Sequence, residues 1–297
     1  MSLIPKTLNE IICYGEVSVS ANALEILFQH GIQTVWMTPS GQKCRGRLYR
    51  ADPPTTLLRV RQHRIFALPK ARLAWSIQLI LAKIDSMNEA TRHYQRHGFS
   101  QAGPLMEQFA QLKWQAQQAQ SVPQLLGIEG TATSLWFQLF RELILPPWSF
   151  PKRVRRPPTD PANALLSLGY TLLLNRVNAR AEAKGFEIYL GALHEYRAGR
   201  PSLSCDLMEP MRVPVVDRWV LMVCNQQRLT PNDFEQSSDG GARLLKDRFG
   251  YTLRLWEEFW QSQRAETLLE YWLDELAKSL SRWSEKETDE TSSSDEL

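Results

Sequence analysis

The sequence has little of what marks the commonest function classes. Its 297 residues include four cysteines, Cys13, Cys44, Cys205 and Cys224, widely scattered and without a Cys-x-x-Cys pair. That excludes a disulfide scaffold and reads as free thiols in a reducing compartment. No run reaches the roughly 20 uncharged apolar residues that span a bilayer, and the N-terminus lacks the basic-then-apolar pattern of a signal peptide. The expectation is a soluble, cytoplasmic protein with no membrane partner. A G-x-x-x-x-G-K-[ST] loop is absent, as is a convincing G-x-G-x-x-G after a strand, so nucleotide hydrolysis and dinucleotide redox chemistry are unsupported.

What is present begins with an uneven charge. The chain carries a net +3, but residues 284–297 (SEKETDETSSSDEL) hold six acids and one lysine, −5, which leaves the body at +8. A positive body suits a polyanion, though many soluble proteins are mildly basic. The acidic, serine-rich tail without aromatics is expected to be disordered.

Residues 8–17 and 32–38 are rich in β-branched and aromatic side chains, and Pro39-Ser40-Gly41 precedes a third short strand at Lys43–Tyr49. Ala21–His30, stopped by Gly31, has helical periodicity. These segments predict a small β-rich N-terminal domain over residues 1–52, ending near Asp52-Pro53-Pro54. Residues 53–72 read as a linker with a first helical segment, and 73–283 as a larger, mainly α-helical domain, giving an α+β fold. Helices are expected at 55–67, 71–97, 104–119 and 123–143. Asp160-Pro161 caps a further helix running to Lys184 and closed by Gly185, and others follow near 202–225, 240–260 and 264–282.

Between two of these helices lies Pro146–Pro158 (PPWSFPKRVRRPP), a five-proline loop that holds the densest basic cluster, Lys152, Arg153, Arg155 and Arg156. It reads either as a solvated connector or as a phosphate-neutralising loop that makes these four residues DNA-binding candidates.

Three segments place polar groups where a core would not want them: Gly127-Ile-Glu129-Gly130, Leu193-His194, and Ser202-Leu-Ser-Cys-Asp206-Leu-Met-Glu209-Pro210. Glu129 falls on the apolar stripe of Leu125, Ala132, Trp136 and Phe140, so it needs a counter-charge, either a metal or a basic side chain. His194 ends the apolar run 186–193, as a packed core histidine also would. Asp206 and Glu209, three apart, share a face if the segment is helical; Ser202 is placed to cap that helix, and Pro210 must kink or restart it. One imidazole and two or three carboxylates form a mixed N/O set that suits Mg²⁺ or Mn²⁺, the ions of phosphoryl transfer. Cys205, beside two acids, has its pKa pushed the wrong way for a thiolate nucleophile. Removing Glu129 is expected to spare folding by relieving repulsion among clustered acids.

The segments around these residues resemble the CRISPR-associated integrase of the "Cas one" family. The matching stretches are Gly127-Ile-Glu129-Gly130, Asp160-Pro-Ala-Asn163-Ala-Leu-Leu-Ser-Leu-Gly-Tyr170, Leu193-His194, Gly199-Arg200 through Asp206-Leu-Met-Glu209-Pro210-Met-Arg212, and Val216-Asp217. The resemblance implies an N-terminal β domain and a helical catalytic domain, with Glu129, His194 and Glu209 as catalytic metal ligands and Asp206 as a supporting acid. It also implies metal-assisted transesterification, in which the 3′-hydroxyl of a captured double-stranded prespacer attacks the CRISPR repeat boundary, together with DNA endonuclease activity. Its implied partners are a second copy of the chain and a small ferredoxin-like protein of the "Cas two" family. The family has further strands before the one matched by Ile11–Val19, so the chain reads as short at its start, which bears on the dimer those strands help to build. A nuclease without joining activity, or a DNA-binding scaffold with Glu129 salt-bridged and His194 packed, would use the same residues differently.

Overall fold

Strand β1 (Glu10–Tyr14) and β2 (Gln33–Met37) run parallel, with Glu10 opposite Gln33 and Tyr14 opposite Met37. A parallel pair needs a crossover, and α1 (Ala21–Gln29) supplies it. Ser20 caps α1 by accepting from the Ala23 N–H, and Gly31 leaves it at φ +65°. β3 (Cys44–Leu48) pairs antiparallel with β2, which is therefore the central and most buried strand. The computed structural model describes residues 4, 5, 8, 10–39, 41, 43–48, 56–99, 102–238 and 240–294, with side chains to 285. The expected boundary at Asp52-Pro53-Pro54 lies outside these residues, as does Tyr49.

The small sheet docks on the helical body through polar contacts. Glu182 Oε2 accepts from Arg47 (2.8 Å) and Gln33 (3.2 Å), and Arg176 pairs with Glu10 at 3.3 Å. The body consists of α2 (Thr56–Phe66), α3 (Pro69–Arg96), α4 (Ala102–Gln117), α5 (Val122–Leu143), α6 (Pro161–Lys184), α7 (Ser202–Met208), α8 (Arg218–Asn225), α9 (Lys246–Ser262) and α10 (Ala265–Ser294). Helix α6 is buried or half-buried on nearly every face and sits at the centre, packed by α7, α8, α10 and a hairpin. As expected, Asp160 caps it, accepting from the Asn163 N–H at 2.8 Å, and Gly185 closes it in the left-handed conformation at φ 89°.

Two expectations are made specific and two are corrected. Within the linker with a first helical segment read at 53–72, residues 56–66 form the helix: α2 packs on α10, and its buried Gln62 pins the 187–190 loop, donating to the carbonyls of Glu187 (2.9 Å) and Leu190 (2.8 Å). The helical stretch 202–225 is interrupted at Pro210, as the sequence requires. Because Pro210 has no N–H to give, α7 ends at Met208, a 3₁₀ turn covers Glu209–Met211 and a π-helical stretch covers Arg212–Asp217 before α8. The 240–260 segment opens with β5 (Ala242–Leu244), which forms an antiparallel hairpin with β4 (Phe234–Gln236) before α9 begins. The acidic tail is helical as far as Ser294, since extending an established helix adds a hydrogen bond per residue without a new nucleation cost. Among the described residues no single helix is long and apolar enough to cross a membrane.

Candidate active site

Glu129 projects from α5, whose stripe Leu125, Ala132, Trp136 and Phe140 is fully buried as the periodicity requires. Its carboxylate, 21% exposed, meets a counter-charge that the sequence reading did not name. Lys83, in the middle of α3 and 3% exposed, brings its Nζ against Glu129 Oε1 and 2.6 Å from Glu209 Oε2. Thr133, one turn on from Glu129, donates to the same Oε1 at 2.8 Å. Glu209 stands where α7 gives way to the 3₁₀ turn, and its Oε2 also accepts from Arg212 Nε at 2.9 Å. Burial by itself would push the Glu209 carboxyl up; the guanidinium of Arg212 and the ammonium of Lys83, with the nearby His194, outweigh it and hold it down at about 2.

Each of these two carboxylates is thus divided. One oxygen faces cations supplied from the protein interior, while Glu129 Oε2 and Glu209 Oε1 carry no hydrogen bond among the described residues.

His194 lies at the end of an irregular loop held from three sides. Gln62 pins its start, Arg72 of α3 donates to the Ala192 carbonyl at 3.0–3.1 Å, and Asp206 of α7 gathers its end. Asp206 Oδ2 accepts from the N–H groups of Ala192 (2.7 Å) and Leu193 (3.0 Å), and Oδ1 from the N–H (2.9 Å) and Nδ1 (2.7 Å) of His194. Asp206 is fully buried, so these bonds hold the imidazole with Nδ1 turned inward and leave Nε2 as its outward nitrogen. Gly191 permits the arrangement, because a Cβ there would lie 2.8 Å from Asp206 Oδ2 and 2.9 Å from the His194 carbonyl oxygen.

Glu129 of α5 and Glu209 at a helix end therefore meet at Lys83, and His194 lies near enough to Glu209 to help lower its pKa, with one oxygen of each carboxylate and the second ring nitrogen carrying no hydrogen bond among the described residues. The donor chemistry fits a hard divalent ion. Both oxygens of Asp206, the expected supporting acid, are taken by residues 192–194, and it acts on the site through His194. And among the described residues no three His, Cys, Asp or Glu side chains converge on one point in this arrangement, because Lys83 stands between the two glutamates. Ser202 is the first residue of α7 rather than its cap, its hydroxyl donating instead to the Glu195 carbonyl at 3.0 Å. Cys205 is pushed up to about 11, chiefly by burial, with Asp206 and Glu209 adding to it, and does not serve as a thiolate.

A second network braces the site from behind. Asp217, at the end of the π-helical stretch, accepts from Trp136 Nε1 at 2.7 Å and the Tyr170 hydroxyl at 2.5 Å. Burial pushes its carboxyl up to about 6 against the pull of those donors and of Arg212 and Arg153. The guanidiniums of Arg212 and Arg153 lie over the Tyr170 ring, 4.9 and 5.5 Å from its centroid. Arg153 also donates to Asn163 Oδ1 at 2.8 Å and the Val154 carbonyl at 2.6 Å, so it is a structural member of the basic loop. Lys152, Arg155 and Arg156 remain exposed.

Sequence reasoning passed over Lys83, although its signal was present: with Leu79 and Met87 it forms an i, i+4 row on the buried face of α3, a lone lysine among apolar residues. Arg72 and Gln62 left no such mark.

A CRISPR-associated endonuclease Cas1 of Thermus thermophilus is 36% identical over 248 residues, 84% of this chain and 72% of the relative. In fold, a CAS1 protein of Thermotoga maritima superposes with a TM-score of 0.78 at 24% identity, covering 91% of this chain and 85% of the other. A Cas6-RT-Cas1–Cas2 complex matches with a TM-score of 0.71 at 22% identity over 92% of this chain and 32% of that one. A casposase bound to integration product matches at 0.64 and 21% identity, over 86% and 76% of the two chains. The profile of the CRISPR associated protein Cas1 family matches residues 1–258, which takes in every segment that builds the site, and the chain belongs to that family.

Proposed function

We propose that the chain is a divalent-metal-dependent DNA integrase and endonuclease of CRISPR adaptation, with Glu129, His194 and Glu209 as ion ligands. The observation that carries this reading is the pairing of Glu129 with Glu209 through Lys83, with His194 close enough to Glu209 to help hold it ionised, inside segments that the Cas1 family profile matches. Mg²⁺ or Mn²⁺ bound there would polarise a phosphodiester and neutralise charge gathering on phosphorus. The chain's own part is positional. Asp206 fixes the imidazole, Lys83 ties Glu129 to Glu209, Arg212 and Lys83 keep Glu209 ionised, and the Asp217 network holds Arg212. A 3′-hydroxyl of a double-stranded prespacer attacking the repeat would give joining; water in the same place would give cleavage. Support for joining comes from the shared fold of a casposase bound to integration product, and for a Cas2 partner from the Cas1–Cas2 complex. A second copy of the chain completes the proposed assembly. The exposed Lys152, Arg155 and Arg156 suit the DNA backbone.

The test incubates the protein and its small partner with short duplexes and a supercoiled repeat-bearing plasmid, with and without Mn²⁺, beside Glu129→Ala and His194→Ala. Joined products that disappear in both variants and in chelator are expected. Cleavage without joining would favour the nuclease, and metal-independent binding alone the scaffold. Glu129→Ala joining DNA at the wild-type rate would overturn the site.

A further inference from the structure

An ammonium group almost removed from water needs a reason, because a buried lysine pays a desolvation cost that apolar neighbours do not repay. Lys83 is 3% exposed and lies on the face of α3 that carries Leu79 and Met87. It reaches two carboxylates from different elements, Glu129 of α5 and Glu209 after α7, and takes one oxygen of each. His194 and Glu129 are 24% and 21% exposed, so the imidazole and the Glu129 carboxylate reach solvent, while Glu209, 4% exposed, and Lys83 lie within.

We propose that Lys83 is a positioning residue of the ion site, holding Glu129 and Glu209 at their spacing before metal arrives and, by its charge, weakening the ion they then bind. The proposal rests on reading Glu129, His194 and Glu209 as ion ligands. Without the ammonium, two carboxylates would face each other across the site and repel in the metal-free protein. With it, an arriving divalent ion finds the free oxygens already placed but meets a nearby positive charge. Removing that charge therefore has two effects of opposite sense: the metal-free protein loses stability, and the ion binds more tightly. A lysine that served only to tie α3 to α5 would show the first effect without the second.

The experiment measures Mn²⁺ binding by electron paramagnetic resonance and thermal unfolding in EDTA and in saturating Mn²⁺. It compares the wild-type chain with Lys83→Met, Lys83→Gln and Lys83→Arg, and with Glu129→Ala as the control that removes a ligand. Lys83→Met and Lys83→Gln should bind Mn²⁺ about tenfold or more tightly than wild type, since a unit charge beside a divalent ion in a partly buried site is worth at least that factor. Both should melt below wild type in EDTA and recover most of the difference in Mn²⁺, while Lys83→Arg keeps wild-type affinity. Lys83→Gln retains a donor in the slot and serves if Lys83→Met does not fold. Unchanged or weaker Mn²⁺ binding in the two uncharged variants, with Glu129→Ala still abolishing it, would overturn the role of Lys83 alone. Absence of any saturable Mn²⁺ binding that Glu129→Ala removes would overturn the ion site, and the role of Lys83 with it.

Discussion

Replacing Asp206 by asparagine is the sharpest test of how the site is held. In the wild-type protein the buried carboxylate accepts four hydrogen bonds, three from consecutive backbone N–H groups and one from the His194 ring. An asparagine of the same shape keeps one acceptor oxygen and turns an NH₂ toward the other pair of donors. Two charge-assisted bonds are lost, and at least one buried N–H is left facing a donor. At about 1.5–3 kcal/mol for each bond to a charged group, the loss comes to about 3–6 kcal/mol. For a chain of this size that lowers the melting temperature by roughly 5–10 °C. The fall should be of similar size in EDTA and in Mn²⁺, because Asp206 holds the loop and does not meet the ion. Joining activity should fall with it, as His194 loses its fixed orientation. A variant that melts like wild type in EDTA and differs only in Mn²⁺ would show that Asp206 is a ligand and that the four bonds contribute little.

Other expectations follow from the same structure. Asp217, ionising near 6 when folded and near 3.8 when free, keeps a proton in the native state that the unfolded chain has released, so stability should rise as pH falls from about 6 to 4. Asp217→Asn should flatten that slope in urea melts; an equal slope in the variant would assign it to another group. Glu209, held down at about 2, contributes in the opposite sense, with stability present above about 4.5 and lost below it, and Glu209→Gln should remove that acid limb. Glu129→Ala, expected from sequence alone to relieve repulsion, should instead lower the melt in EDTA, because Lys83 already stands between the acids; an unchanged or higher melt would restore the first expectation. Gly169→Ala would drive a Cβ to 2.8 Å from Val216 Cγ1 and 3.2 Å from Trp219, costing about 1–3 kcal/mol in thermal unfolding. Joint replacement of Lys152, Arg155 and Arg156 by alanine should weaken DNA binding and flatten its salt dependence without moving the melt, whereas Arg153→Ala should lower the melt; the reverse pattern would refute the division of the loop.

The local elements were the most readable part. Helix α6 announced both its ends, because an Asp-Pro start and a glycine stop satisfy backbone groups within one turn. The break after Met208 was likewise implied by Pro210, though whether it would be filled by 3₁₀ and π turns was not, since that depends on how Glu209 and Asp217 are drawn to partners far along the chain. Residues 284–294 show the limit of composition: an acidic segment that would be disordered alone continues as helix from α10.

By itself the sequence determined which residues are chemically out of place. Glu129 lies on an apolar stripe, and His194, Asp206 and Glu209 sit in or beside buried runs, as hydrophobic period alone reveals. It also carried the segments by which the family is known. Only the tertiary structure decided what each residue does, because partners 46 to 126 positions apart are set by packing and leave no periodic trace. Packing put Lys83 between Glu129 and Glu209, turned both oxygens of Asp206 onto the loop of His194, and drew Arg153 from the basic loop onto Tyr170. It thereby divided a list of candidates into carboxylates paired through a buried lysine, groups that hold a loop or a helix in place, and exposed cations.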